Sequence, residues 1–423
     1  MPKNESAVYI VDGSRTPFLK MGASPGAWSA ADLAVAAAQP LILRNKLSPE
    51  AIEEVIAGCV MPAPNEINIA RIMALRLGCG PRVPAWTVQR NCASALQALD
   101  AAYSSIVRGS YHLVLAGGTE CMSRAPLLYP RAFAEWLGAW RTQKTIRGRL
   151  NVLSHFRPYF LAPTFSLLQG LQDPIVNLSM GQTAENLAYH FDITRAAMDQ
   201  YAVQSHQRAI EARQSGYFEE ITPLFDGKGG FIDQDNGVRE DSHVEKLATL
   251  RPVFDKPFGA VTAGNSSQIS DGAAFLLLAS AQAVKHYQLP VIGSIIDTAW
   301  AALDPAVMGL GPVFAIQDLL SRQNLQFKDI DYWEINEAFA AQVLACVKKL
   351  SVDDPMVGQD FIKRLNVDGG AIALGHPVGA SGARLVLHLL QILKRHNVKR
   401  GIASLCIGGG QGGAMLIENV SEV

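Results

Sequence analysis

The sequence predicts an α/β protein made of two similar halves packed face to face, with a different segment inserted between them. Three observations carry this. Apolar runs rich in Val, Ile and Leu alternate with Ala-rich stretches of helical period, the pattern of a buried sheet covered by helices. A unit of loop, helix, strand and double glycine occurs twice. Aromatic and charged side chains and polar turn runs such as DGKGGFIDQDNG concentrate between residues 123 and 255.

Taken in order, VYIVDG (8–13) reads as a buried strand. ADLAVAAAQPLILRN (31–45) reads as a helix. CASALQALDAAYSSIVRG (92–109) is a second helix: Leu96, Leu99, Tyr103 and Ile106 fall on one face, and Gly109 closes it. HLVLAGG (112–118) is the strand after it, ending in Gly117-Gly118. In the second half, DYWEIN (331–336) is a strand, SGARLVLHLLQILKRH (381–396) a helix, and GIASLCIGGG (401–410) a strand ending in glycines. The division expected is 1–122 plus 256–280 for the first half, 123–255 for the insert and 281–423 for the second half.

Composition narrows the function. The chain has 423 residues, 49% hydrophobic and 18% charged, against about 25% charged in ordinary domains. That mass of apolar residues excludes a disordered chain. Basic and acidic residues number 37 and 38, so net charge gives no reason to bind nucleic acid. The AVYIV run before Asp12 is too short for a signal peptide, and no apolar stretch reaches the ~18 residues of a membrane span. None of the six cysteines forms C-x-x-C, and nearby histidines complete no zinc pattern, so no metal and reduced thiols are expected. Within the insert, Arg131, Arg141, Lys144, Arg147, Arg149 and Arg157 face one acid, Glu135, beside Phe133, Trp136, Leu137 and Trp140 at helical spacing. Segment 131–157 therefore suits peripheral contact with a membrane surface, a partner groove or a polyphosphate. A solvated helix with inward-packed aromatics fits equally.

Four positions could carry chemistry. Cys92 stands where a strand hands over to a helix. The free N–H groups and partial positive charge there should lower its pKa and favour thiolate. His376 lies in GGAIALGHPVGASG, with five glycines in fourteen positions. Pro377 bars it from helical backbone, leaving a candidate base or oxyanion donor in a loop. Cys406 precedes Gly408-Gly409-Gly410 at a strand end, where bare N–H groups can approach a ligand. Asn336 ends a strand, where its amide could hold a water or carbonyl oxygen, or cap a helix. Two thiols, an imidazole and an amide suit thioester chemistry with a carbanion.

These motifs resemble the thiolase family. NCASALQ (91–97), VTAGNSSQISDGAA (261–274), NEAFA (336–340), NVDGGAIALGHPVGASG (366–382) and CIGGGQGGA (406–414) carry the likeness, which runs from SRTPF (14–18) to the last strand. The resemblance implies duplicated βαβαβαββ halves in a five-layer α-β-α-β-α sandwich with an inserted loop domain. It implies Cys92 as acyl acceptor, His376 as its activator, and Cys406 as the acid/base at the α-carbon. One oxyanion hole would be His376 with a water on Asn336. The other would be the N–H groups of Cys92 and Gly408. Ser267, Ala263, Arg239, Met180 and Phe339 would line the coenzyme A and acyl path. No cofactor would be permanently bound; coenzyme A and acyl-CoA are substrates.

Departures sharpen the expectation. Asp368 stands where many relatives have Asn, and Lys246 where some have Ser. Ser179 stands where short-chain biosynthetic thiolases have His, and the basic insert resembles the β-subunit thiolases of fatty-acid oxidation complexes. The expected reaction is thiolytic cleavage of 3-ketoacyl-CoA to acetyl-CoA and a shortened acyl-CoA. A biosynthetic acetoacetyl-CoA thiolase and a non-catalytic acyl-lipid carrier are the alternatives. A ketosynthase would need a second histidine where Cys406 stands. The resemblance also implies a homodimer or homotetramer, or assembly with a hydratase/dehydrogenase subunit, in a bacterial cytoplasm or mitochondrial matrix.

Overall fold

A computed structural model describes residues 7–22, 24–226, 229–351 and 355–420. Nine strands form its main sheet: β1 (Val8–Arg15), β2 (Glu54–Gly58), β3 (Ala85–Val88), β4 (Leu113–Cys121), β5 (Ser270–Ser280), β6 (Gly293–Ala302), β7 (Tyr332–Ile335), β8 (Arg400–Ile407) and β9 (Gln411–Glu418). A two-residue strand, Leu19–Lys20, adds to β5. The order across the sheet is β7-β8-β9-β6-β1-β5-β4-β2-β3.

The duplication is visible in the pairing. β1·β5 and β5·β4 are antiparallel and β4·β2 is parallel. In the second half β6·β9 and β9·β8 are antiparallel and β8·β7 is parallel. The half-sheets are also hydrogen-bonded to each other, because Val8–Ile10 of β1 pairs with Gly293–Ile295 of β6.

The layers follow from side-chain alternation along each strand. Helices α1 (Ala30–Arg44) and α2 (Ile69–Arg76) cover one face of the first half-sheet, packing on Val55, Ala57, Leu115 and Phe275. The opposite face, with Ile56, Val114 and Leu276, meets α3 (Ser94–Val107) and α10 (Ser381–Arg395). Leu405, Ile407, Met415 and Ile417 of the second half-sheet pack on the same two helices. Helices α6 (Met180–His190), α7 (Arg195–Gln214), α8 (Gly311–Arg322) and α9 (Ala340–Leu350) cover the far face over Trp333, Ile335 and Leu416. The five-layer α-β-α-β-α sandwich expected of the sequence is present.

A helix in the middle layer must be apolar nearly all round. In α10, every residue from Ser381 to Leu390 is buried. Each leucine so placed contributes about 1.5–3 kcal/mol by removal from water. Two ionisable side chains on α10 survive full burial because each is paired. Arg384 donates to Glu334 at 2.6 Å, and His388 sits between Glu220 (3.2 Å) and Asp368 (3.0 Å).

Between β4 and β5 the chain leaves the sheet. Here α4 (Arg131–Thr142) and α5 (Ile146–Ser154) have no buried residue. Their aromatics pack on one another instead: Trp136 stacks on Phe133 and Trp140 and meets Phe156 edge-on. That leaves Leu137, Ile146, Leu150 and Leu153 exposed beside Arg131, Arg141, Arg147 and Arg149. No helix among the described residues is long and apolar enough to cross a membrane.

Candidate active site

Three of the four chemical positions, Cys92, Asn336 and Cys406, sit at strand ends or on the turns that follow, and His376 follows a short helix. Cys92 lies in the turn between β3 and α3. Asn91 holds left-handed backbone (φ 43°), which lets Ser94 N–H bond back to Asn91 O at 3.1 Å. Ser94 Oγ accepts from Arg90 N–H at 2.9 Å and donates to Asn91 O at 2.7 Å. The turn is thus clamped before the helix begins.

The clamp reaches the other half. Asn91 Nδ2 donates to Gly408 O at 2.8 Å, and Gly408 N–H points at the Cys92 sulfur. Gly408 opens the β8–β9 hairpin, whose Gly409 takes φ 90°, a conformation that strains any residue with a Cβ. Neither the Asn91 bridge nor its Gly408 partner could be read from spacing, because the two residues are 317 positions apart.

The expected lowering of the Cys92 pKa is overturned. Burial pushes the thiol up, and the Gly408 N–H only partly offsets it. A helix start lowers a thiol pKa, but for this half-buried residue the cost of desolvation is the larger effect. At rest Cys92 is therefore a thiol and requires a base.

His376 follows a short helix, Ala371–Leu374, and Gly375. Gly375 has φ 108°, and a Cβ there would lie 2.4 Å from Ser270 Oγ, so only glycine brings the chain into this turn. Burial pulls the imidazole down to about 3, with the Arg384 charge adding to it, so the ring is neutral. Its tautomer follows from its neighbours. Ser381 Oγ donates to Pro377 O at 2.9 Å, so it accepts from His376 Nδ1–H at 2.6 Å. Nε2 then carries the lone pair, facing Asn336 Nδ2 at 3.3 Å.

Asn336 caps no helix, which excludes that reading: α9 begins at Ala340 with Phe339 as its flanking residue. Asn336 N–H bonds Ser404 O at 3.0 Å, and its Oδ1 has no hydrogen-bond partner in the protein. Next to it, the buried Glu337 carboxylate accepts from Tyr201 (3.0 Å), Ser205 (2.7 Å), Asn366 (3.0 Å) and Ile372 N–H (3.2 Å). Glu337 thereby ties β7 to the segment that delivers His376. Asp368 accepts from Arg395 and His388, so it braces the same segment.

Cys406 is buried on β8, 1% exposed. Burial drives its thiol well above the ordinary range, and the nearby Cys92 and Cys346 sulfurs add to that. The two candidate thiols are therefore electrostatic neighbours.

Two cavities converge here. One, about 610 Å³, is lined by Cys92, Gly408 and Met180. The other, about 520 Å³, is lined by His376, Ser267, Ala263, Arg239 and Phe339, and again by Met180. Met122, Leu171, Gln172, Met180 and Val378 belong to both walls. All five residues expected on the coenzyme A and acyl path thus lie on one cavity. Met180 is set there by its helix start, where Ser179 and Gln182 form a capping box. Lys246 is not on either wall; it is ion-paired with Asp241.

Comparison with known proteins agrees. The thiolase N-terminal domain model matches residues 8–282, and the thiolase C-terminal domain model matches residues 289–419. A beta-ketoadipyl-CoA thiolase of Pseudomonas knackmussii is 40% identical over 98% of this chain and 99% of its own length. A probable acetyl-CoA acyltransferase of Staphylococcus aureus is 39% identical over 97% of this chain and 98% of its own. Human mitochondrial 3-ketoacyl-CoA thiolase superposes with a TM-score of 0.87 at 37% identity, covering 98% of this chain and 99% of that one. The same human enzyme solved in complex with CoA gives 0.85 at 37% identity, with 98% of each chain covered. This chain belongs to the thiolase family and is an acyltransferase.

Proposed function

We propose that the chain cleaves 3-ketoacyl-CoA with coenzyme A through an acyl-Cys92 intermediate, and runs the reverse Claisen condensation. The observation that carries this reading is that the cavity lined by Cys92 and Gly408 and the cavity lined by the neutral His376 share one wall, made by Met122, Leu171, Gln172, Met180 and Val378.

The residues divide the work as follows. Cys92 Sγ attacks the 3-keto carbon as its proton passes to His376 Nε2. Because the thiol pKa is raised and the imidazole pKa lowered, no ion pair forms first; proton transfer accompanies attack. The N–H groups of Cys92 and Gly408 receive the oxyanion, each such donor being worth on the order of 2.7–4 kcal/mol. The C2–C3 bond breaks and its electron pair stays on C2 as the enolate of acetyl-CoA. His376, now Nε2–H, and a water on Asn336 Oδ1 stabilise that enolate oxygen. Cys406 protonates C2, and acetyl-CoA departs. Free coenzyme A gives its proton to the Cys406 thiolate and attacks the acyl-cysteine. The shortened acyl-CoA leaves, and Cys92 recovers its proton from His376.

Ser179 and the roomy Cys92 cavity favour this over a short-chain biosynthetic enzyme. The carrier alternative needs none of the proton relays. The deciding assay is CoA-dependent consumption of acetoacetyl-CoA and longer 3-ketoacyl-CoA with release of acetyl-CoA. Binding without turnover contradicts the reading.

The reading includes a homo-oligomer. β3 ends the sheet with an unpaired edge and Trp86 exposed, a template for a second chain. A light-scattering mass of one chain opposes it. The cationic, apolar face of α4 and α5 completes the proposal as a contact for an anionic bilayer surface. Co-sedimentation with phosphatidylserine vesicles, lost in Arg141→Glu/Arg149→Glu, tests it; no co-sedimentation at low salt opposes it.

A further inference from the structure

The cavity on Cys92 has a wall without cations. Val60, Met61, Leu167, Leu171, Ile175 and Val378 supply apolar surface, and Gln89, Gln169 and Gln172 supply amides. No lysine or arginine among the described residues lines it. Its one carboxylate, Asp173, accepts from the N–H groups of Ile175 (2.8 Å) and Val176 (3.2 Å). Glu120, which accepts from Val60 N–H (2.9 Å) and Met61 N–H (3.0 Å), is raised to about 7 by burial and so offers no fixed charge of either sign. The cations Lys20 and Arg239 lie on the other cavity.

We propose that the acyl group carried by Cys92 is an uncharged hydrocarbon chain longer than acetyl, and that this cavity rejects chains ending in a carboxylate. The inference rests on the acyl-Cys92 reading and adds the chemical class of the substrate. A 3-oxoadipyl substrate would leave a succinyl group on the sulfur. Its carboxylate carbon lies only three bonds from the thioester carbon, so the charge stays inside the cavity on Cys92. A carboxylate there meets amide and hydroxyl groups but no cation to pair with, and Asp173 on the same wall repels it. Each methylene placed on the same wall is instead favourable. The relatives named beta-ketoadipyl-CoA thiolase are 40% identical to this chain, so identity alone would suggest the opposite preference.

The test is kcat/KM of the full chain for thiolysis of 3-oxohexanoyl-CoA and 3-oxoadipyl-CoA, which share a six-carbon acyl backbone and differ in the end group. Acetoacetyl-, 3-oxooctanoyl- and 3-oxodecanoyl-CoA complete the set. The expected preference for 3-oxohexanoyl-CoA is on the order of 100-fold. Within the uncharged series kcat/KM rises about fourfold per methylene until the cavity is filled. Met61→Arg narrows the end-group gap at least tenfold by supplying the missing cation. Equal or higher kcat/KM for 3-oxoadipyl-CoA, with Cys92 still acylated, overturns this inference and leaves the thiolase reading intact. Failure of every substrate to acylate Cys92 overturns the thiolase reading, and the inference falls with it.

Discussion

Ser381 Oγ lies 2.6 Å from His376 Nδ1 and gives its own hydrogen to Pro377 O. With its hydrogen committed, the hydroxyl can only accept from the ring, and this directs the imidazole lone pair to Nε2, toward the reacting atoms. Ser381 touches no substrate; it is a positioning residue, and it also begins α10.

Ser381→Ala removes the acceptor and lets the ring turn over. A support of this kind is worth about 10–100-fold in activity. The expected result is that loss in kcat with KM nearly unchanged, and partial recovery in Ser381→Thr. Steady-state kinetics on the two variants check it. An unchanged kcat in Ser381→Ala contradicts the tautomer assignment.

Asn91→Ala cuts the bridge between the nucleophile turn and the Gly408 carbonyl. Gly408 N–H then loses its fixed aim at the sulfur. Acylation should slow by about 10–100-fold, less than deleting a donor outright. Rapid-quench measurement of acyl-enzyme formation reads this step apart from thiolysis. Slowing of the second step alone would argue against it.

His388 sets the alkaline limit of stability. Although burial opposes its charge, Glu220 and Asp368 raise its pKa to about 9. Arg15 and Arg395, which pair with those same carboxylates, are the other charges in the cluster. A pKa raised above the unfolded value of about 6.5 stabilises the fold fully below pH 6.5. That contribution is lost as pH rises through 9. Chemical denaturation at pH 6 and pH 9.5 should show a larger loss in the wild type than in His388→Gln. Equal losses would remove His388 from this role.

Much of the architecture was legible because it rests on local periodicity. The spacing of Leu96, Leu99 and Ile106 marked α3, and the repeated double glycine marked the duplicated halves. The hydrogen-bonded join of β1 to β6 was not legible, since three residue pairs of antiparallel contact leave no pattern in either strand. Cys92, His376, Cys406 and Asn336 stand out as candidates because Gly, Pro and strand ends punctuate the chain around them. Asn91, Ser381 and Glu337 escaped notice because short polar residues beside a motif look like ordinary turn and cap residues. The Cys92 pKa was misjudged for a related reason: a helix start is local, whereas burial is set by both halves together.

The central claim is that Cys92 takes the acyl group while Cys406 moves the α-proton. Intact-mass analysis after mixing with acetyl-CoA, paired with deuterium exchange into acetyl-CoA, measures both at once. The account predicts no acyl adduct for Cys92→Ala. For Cys406→Ala it predicts one acetyl group on Cys92, with α-proton exchange slowed by at least about 100-fold. A stoichiometric adduct on Cys92→Ala, or normal exchange in Cys406→Ala, would contradict it.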